Sequence, residues 1–336
     1  MRKAGDIREA GPGLGLDAAG TPATPSVVLD DSDFAGDPGP LAARIRTAPC
    51  VVVAVASARG LPAVIGQAAD VVLAPPGSGV PGAVETSDPV AAAGVVQARV
   101  AASPRASVAL AWLLRLTEHA SVEDAITGES STYSMLLGGP DFRRWLAARG
   151  APRRPGPAER IRVSREDARL RITLARPDRR NALDALMRDA IADALQVAVW
   201  DETVQVTIDA DGPSFCAGGD LDEFGTAPDP ATAHLIRVAA SPGRLLHQLR
   251  ERVTVRVHGD CVGAGIELPA FAGRVVAAPG SRFRLPEIAM GLIPGAGGTV
   301  SLPRRIGRAR TAWLALTGTA IDAPTAASWG LVDEVE

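Results

Sequence analysis

Short apolar runs and longer periodic ones succeed each other along this chain. PCVVVAVAS at 49–57 and ADVVLAP at 69–75 are uninterrupted apolar stretches and read as buried strands. From about 89 to 148 the spacing becomes helical, in PVAAAGVVQARVAA and then RASVALAWLLRLTEHA. SVEDAITGESSTYSMLLGG follows, with Ser121 placed to cap a helix and Glu123 and Asp124 in its first turn. DFRRWLAARG closes this region, and GAPRRPGPAE at 150–159 carries the Pro, Gly and Arg density of a linker. Beyond it, RIRVSREDARLRITLARP predicts a hairpin turning at SREDA, and NALDALMRDAIADALQVAV an amphipathic helix. VQVTIDADG reads as a strand entering the loop PSFCAGGDLDEFG, and ATAHLIRVAASPGRLLHQLRE as helical. RVTVRVHG (strand), GAGIELPAFAG (helix), RVVAAPG (strand) and FRLPE complete a mixed α/β order of strand–turn–helix units.

The pattern divides the chain into a tail (1–25), an α/β region (26–88), a helical region (89–150), a linker (151–159) and a second α/β unit (160–336). It also contains an echo. VVVAVASARGLPAVIGQAADVVLAPPGS at 51–78 lays on VTVRVHGDCVGAGIELPAFAGRVVAAPGS at 253–281, with Ala63 opposite Glu267. The first copy keeps the strand, small-residue turn, short helix and strand, and lacks the carboxylate. That suggests a duplicated unit whose first copy is structural.

Composition narrows the function classes. Hydrophobic residues make up 46% of the chain and charged residues 22%, as in a folded globular protein. The net charge of -3 gives no basis for a nucleic-acid partner. No uncharged apolar run approaches the roughly 18 residues of a membrane span, and the first residues lack a signal peptide's apolar core. Three cysteines do not make a disulfide framework, so a reducing, cytoplasmic setting is expected. Aromatic residues amount to 4%, which offers no hint of an aromatic-lined pocket.

Two glycine-rich turns, FCAGGDLDEF and GDCVGAGIEL, each follow a strand. They are either ordinary strand-to-helix turns or a pair of backbone N–H donors aimed at one oxyanion. Glu267 and Glu287 follow, each beside an apolar segment. Two glutamates near a dry pocket can serve as acid and base, or they can be buried partners of some of the 34 arginines. Gly259-Asp260-Cys261-Val262-Gly263 fits a cysteine nucleophile elbow, but no histidine follows Cys261 as that arrangement requires. Cys261 and Cys216 are better read as small buried residues, and His258 as structural. PGAGGT at 294–299 opens the helix TVSLPRRIGRARTAWLAL (299–316), and could hold an anion at its N-terminus or simply close a tight loop. Arg304, Arg305, Arg308 and Arg310 beyond it form a solvated face or meet a phosphate-bearing ligand.

RPDRRNALD, SFCAGGDLDEF, VHGDCVGAGIELPAFAGRVVAAPGSRFRLPEIAMGLIPGAGGT and LTGTAIDAPTAASWGLVDEV, in this order, resemble the crotonase family, the enoyl-CoA hydratase/isomerase superfamily. The resemblance implies a spiral of ββα units over 160–336. It implies that 26–88 is a degenerate crotonase-like region, and that 89–150 is the family's helical tail, placed before the core and capping it in its own chain or a neighbour's. It further implies an acyl-CoA lyase that hydrates a 2-enoyl-CoA reversibly through an enolate. The amides of Gly219 and Ala264 would hold the thioester oxygen, Glu267 would activate water for Cβ, and Glu287 would exchange a proton at Cα. Arg180, Asn181, Ala182 and Leu183, with Ala217, Gly218, Asp220 and Leu221, would contact coenzyme A. Gly263, Pro294 and Gly295 would line the pocket. Isomerase, decarboxylase or C–C hydrolase chemistry on the same enolate stays open, as does a non-catalytic partner subunit. No metal and no cofactor beyond substrate coenzyme A is expected, no nucleic acid or membrane partner, and a homo-oligomer, trimer or hexamer, is implied by family alone.

Overall fold

The chain is described from a computed structural model that covers residues 15–34, 36–57, 60–152 and 159–336. Most of the expected linker and residues 1–14 of the expected tail lie outside those ranges. The tail's remaining residues carry a bridge between Leu16 and Pro22, and Arg105 donates to Ala19 O and Thr21 Oγ1.

The N-terminal unit is a parallel four-stranded sheet of β1 (Ser26–Leu29), β2 (Val51–Val55), β3 (Val71–Ala74) and β4 (Val84–Glu85) in sequential order. β2 and β3 are buried along their whole length, which is why they read as unbroken apolar runs. Helices α1 (Gly39–Arg46) and α2 (Ala63–Ala68) make its crossovers.

Four helices follow: α3 (Pro89–Ala102), α4 (Pro104–Leu116), α5 (Val122–Leu137) and α6 (Pro140–Arg149). The side chain of Ser121 accepts from Asp124 N and caps α5, a contribution of about 1 kcal/mol. The buried face of α5 runs through Val122, Ala125, Ile126, Glu129, Ser130 and Tyr133. That is helical spacing, with a carboxylate where an apolar residue is the rule.

The C-terminal unit opens on an antiparallel hairpin, β5 (Ile161–Glu166) and β6 (Arg169–Leu174). Its turn is only Asp167 and Ala168, with Asp167 at φ 50°, so the strands continue through most of SREDA. Helix α7 (Ala185–Trp200) leads to β7 (Gln205–Ala210). The single helix expected over 231–251 is two, α8 (Pro230–Ala239) and α9 (Pro242–Gln248), parted where Pro242 starts a new first turn. β8 (Val253–Val257), β9 (Asp260–Val262), the four-residue α10 (Ala264–Glu267), β10 (Arg274–Ala277) and β11 (Arg282–Arg284) come next. Two helices then replace the one expected from 299 to 316. α11 (Gly298–Ile306) and α12 (Arg308–Thr317) break at Gly307, whose φ is 82°. β12 (Ile321–Asp322), α13 (Ala323–Trp329) and β13 (Glu334–Val335) close the chain.

The larger sheet runs β13-β10-β8-β7-β6-β5, and β12-β11-β9 form a smaller one. In both units parallel strands are added in sequence order, β1-β2-β3-β4 and β7-β8-β10-β13. The segments 51–78 and 253–281 occupy the same place in that order. Ala63, opposite Glu267 in that alignment, is exposed on the first turn of α2.

The two units are tied together through Arg308 and Arg310 of α12. Arg308 reaches Asp70, Glu118 and the carbonyls of Gln67 and Ala68, and Arg310 donates to Ala83 O. Arg304 donates to Ala120 O, and Arg305 to Ala270 O and Ala272 O. The cluster read as a solvated face or phosphate site is therefore spent on internal carbonyls and carboxylates.

Candidate active site

The two glycine-rich turns are neighbours. Cys216 and Cys261 form a parallel bridge, and Val262 N donates to Cys216 O at 2.9 Å. Gly218 lies against Val262 and Gly263, closely enough that a Cβ there would stand 3.1 Å from Val262 O. Leu183 bridges Gly219, donating to Gly218 O and accepting from Asp220 N. This pattern turns the Gly219 amide away from Leu183. Ala264 is the first residue of α10, where an amide has no intrahelical acceptor. Among the described residues, neither amide donates to another group. Both residues line a cavity of about 560 Å³.

Glu267 and Glu287 enter the same cavity, 2% and 8% exposed. Neither forms an ion pair among the described residues, so the salt-bridged reading fails despite the abundance of arginine. Glu267 Oε2 accepts from Ala296 N at 2.8 Å and Gly298 N at 2.9 Å. Its Oε1 and that of Glu287 converge on Gly263: a Cβ there would be 2.6 Å from Glu287 Oε1 and 3.7 Å from Glu267 Oε1. Gly263 also holds φ 50°, ψ −119°, a conformation only glycine adopts at no cost. Burial, then the charge of Glu287, pushes Glu267 well above the ordinary carboxylate value. Burial pushes Glu287 to about 8, and its Oε2 is buried with no hydrogen-bond partner. Carboxyls shifted this way keep a proton at pH values where exposed glutamates have lost it.

The glycine loop before α11 holds carboxyl groups, and they are the protein's own. Ala296 and Gly298 donate to Glu267, while Gly297 N and Thr299 N and Oγ1 donate to Glu129 at 2.7–2.8 Å. Glu129, from α5, is 3% exposed, and burial raises it to about 7. Sequence reasoning passed over this residue. The available signal was a carboxylate on the apolar face of a helix, four residues before Tyr133.

Helices α5 and α6 form one side of the cavity. Tyr133 packs on Gly295 so closely that any side chain there would overlap its ring, and a Cβ on Gly291 would meet Asp141 and Phe142 at 2.8 Å. Phe142, Leu146 and Phe224 line the cavity with Tyr133. Low overall aromatic content thus conceals a local concentration, and the chain's single tyrosine lies in the pocket. Burial raises Tyr133 far above a free phenol.

Of the residues assigned to substrate contact, Leu183, Asp220 and Gly295 line the cavity. Asp220 also pairs with Arg176 at 2.8 Å, which anchors its loop. Asn181 does not reach the cavity. It is fully buried, accepts from Arg176 N and donates to Asp211 O and Ser214 O, so its amide is consumed in holding loops together. Arg180, Ala182, Ala217, Gly218, Leu221, Gly263 and Pro294 also stand outside the lining; Gly218 and Gly263 support it from behind. Cys261 is fully buried and Cys216 nearly so; burial pushes Cys216 to about 12 and Cys261 well above its free value, opposite to what a nucleophilic thiolate needs. His258 Nε2 lies 2.8 Å from Gly212 O.

This geometry meets an independent finding. The family model "Enoyl-CoA hydratase/isomerase" matches residues 165–336, about half the chain. The chain belongs to the enoyl-CoA hydratase/isomerase family. It is 36% identical over 174 residues to the 2,3-dehydroadipyl-CoA hydratase of Escherichia coli (strain K12), covering 52% of this chain and 68% of that protein. It is 35% identical over 169 residues to the 1,2-epoxyphenylacetyl-CoA isomerase of the same organism, covering 49% and 64%. A crystal structure of an enoyl-CoA hydratase from Mycobacterium smegmatis aligns at TM-score 0.49 and 31% identity, over 53% of this chain and 70% of that one. The chain thus spans about two thirds of these curated family members, and the match to the family model leaves 1–164 outside it. Helices α5 and α6, which complete the cavity, lie in that unmatched part. No helix among the described residues is long and apolar enough to cross a membrane.

Proposed function

We propose that this chain is an acyl-CoA lyase that adds water reversibly across the double bond of a 2-enoyl-CoA. The thioester oxygen accepts hydrogen bonds from Gly219 N and Ala264 N, and these donors stabilise the negative charge that develops as the enolate forms. Glu267 takes a proton from water as its oxygen bonds to Cβ. Glu287 gives a proton to Cα, so water is added without net charge change. The observation that carries the reading is two buried carboxylates without ion-pair partners, beside two backbone amides without acceptors, in one cavity. The hydratase named among the relatives supports it. Double-bond migration at this site would need only proton transfers, whereas a second carboxylate suits the activation of water. Leu183 and Asp220 offer the thioester's coenzyme A side a wall beside the Gly219 turn.

The test is loss of enoyl-thioester absorbance with crotonyl-CoA. Hydration by the wild-type chain, slowed about 10²- to 10⁴-fold in both Glu267→Gln and Glu287→Gln, is expected. Binding of the thioester without turnover would instead indicate a non-catalytic subunit, and migration of the double bond without hydration an isomerase.

A further inference from the structure

The cavity wall formed by α5 and α8 carries Arg237 among the apolar side chains of Ile126, Ala233 and Ile236. Arg237 projects from α8 over the face of Tyr133, its guanidinium carbon 4.5 Å from the ring centre. One nitrogen, Nη2, donates to Ser134 Oγ and Ser130 O and ties α8 to α5. The other two nitrogens are not used in this way. Nε is buried and has no partner, and Nη1 donates to no protein group among the described residues. Arg237 lines the cavity together with Ser130 and Tyr133, whereas Ile126, Ala233 and Ile236 around them are apolar. A buried guanidinium N–H without an acceptor is costly, and a wholly apolar acyl chain beside it would leave that cost in place. A carboxylate on Nη1 would instead supply a counter-charge that no protein group among the described residues provides.

The position of Arg237 fixes which part of the substrate it meets. Tyr133 separates Arg237 from Gly295, and the next residue, Ala296, holds Glu267 through its amide. Arg237 therefore stands one aromatic ring beyond the loop that orients Glu267. The part of the acyl group beyond the carbon that Glu267 addresses is the part that runs toward it.

We propose that Arg237 is a specificity-determining residue that binds a carboxylate on the acyl group, making the preferred substrate a dicarboxylic 2-enoyl-CoA mono-thioester. The inference rests on the hydratase reading of the site but is tested by binding, which needs no turnover. Calorimetry with adipyl-CoA and hexanoyl-CoA compares saturated esters of equal length that end in a carboxylate or a methyl group. The wild-type chain should bind the acid-ended ester about 10- to 100-fold more tightly, the range of one charge-assisted hydrogen bond. Arg237→Met should bring that ratio close to one, and Arg237→Lys should retain part of it. Equal or tighter binding of hexanoyl-CoA by wild type overturns the proposal, as does an unchanged ratio in Arg237→Met. If the Met variant does not fold, the wild-type ratio and that of the Lys variant decide. If the binding preference is found and neither matching enoyl ester is hydrated, the reaction assignment fails while the role of Arg237 stands.

Discussion

At the scale of single residues, the carboxylates carry the chemistry, and their burial leaves a signature in stability. The folded protein holds Glu287 at about 8, against an ordinary value near 4.5, with burial as the cause. A raised carboxyl means the folded state binds the extra proton. That stabilisation is complete below the unfolded value and is lost as pH rises through the folded one. Between about pH 5 and 8.5 the wild type should therefore lose on the order of a few kcal/mol relative to Glu287→Gln, whose side chain carries no charge. Denaturant melts of both proteins across this range check it; parallel stability curves would refute the buried, proton-binding state. Glu129 is raised in the same direction, to about 7, and also accepts three hydrogen bonds from the glycine loop. Glu129→Ala should cost roughly 1–3 kcal/mol, the price of orphaning buried amides at Gly297 and Thr299, in a urea melt at neutral pH.

At the scale of elements, the cavity depends on how closely helices approach the glycine loop. Gly295 has no room for a side chain, since Tyr133 occupies the space. Gly295→Ala must displace either Tyr133 or the amide of Ala296 that holds Glu267. Hydration rates should fall by about tenfold or more, since misplacement of a positioned group by an ångström is that costly. Steady-state kinetics with crotonyl-CoA measure this, and a wild-type kcat/KM would show that the loop tolerates the shift. Much of this scale was legible in the sequence. The strands of 51–55 and 71–74, the capped helix after Ser121 and the helix of 185–200 follow from apolar runs and spacing. Two long helices were misread as continuous because Gly307 and Pro242 sit inside periodic apolar patterns, where periodicity outweighs a single breaker. The paired glycine turns and both glutamates were legible as chemistry. Glu129 and Arg237 were not, because each lies on a helix whose burial depends on contacts more than 100 positions away.

At the scale of the whole molecule, a buried ion network joins the N-terminal sheet to the rest. Asp70, 1% exposed, pairs with Arg115 and Arg308, and Arg308 comes from α12 beside the last sheet strands. Removing Asp70 leaves Arg115 without a carboxylate among the described residues and Arg308 with Glu118 alone. Asp70→Asn should lower unfolding free energy by roughly 3–5 kcal/mol in denaturant melts, far more than an exposed pair such as Arg256 and Glu336 would. A loss under 1 kcal/mol would mean the two units are held by apolar packing alone. This tie was invisible in sequence: four arginines near 304–310 look like surface charge until the carbonyls they meet are placed.

The central claim is that Gly219 N and Ala264 N bind one thioester oxygen between Glu267 and Glu287. A crystal structure with a bound 3-hydroxyacyl-CoA measures this directly. The expected result is a thioester oxygen about 3 Å from both amides, with the 3-hydroxyl on Glu267 and C2 facing Glu287. A thioester carbonyl that meets neither amide, or a 3-hydroxyl remote from both carboxylates, would contradict it.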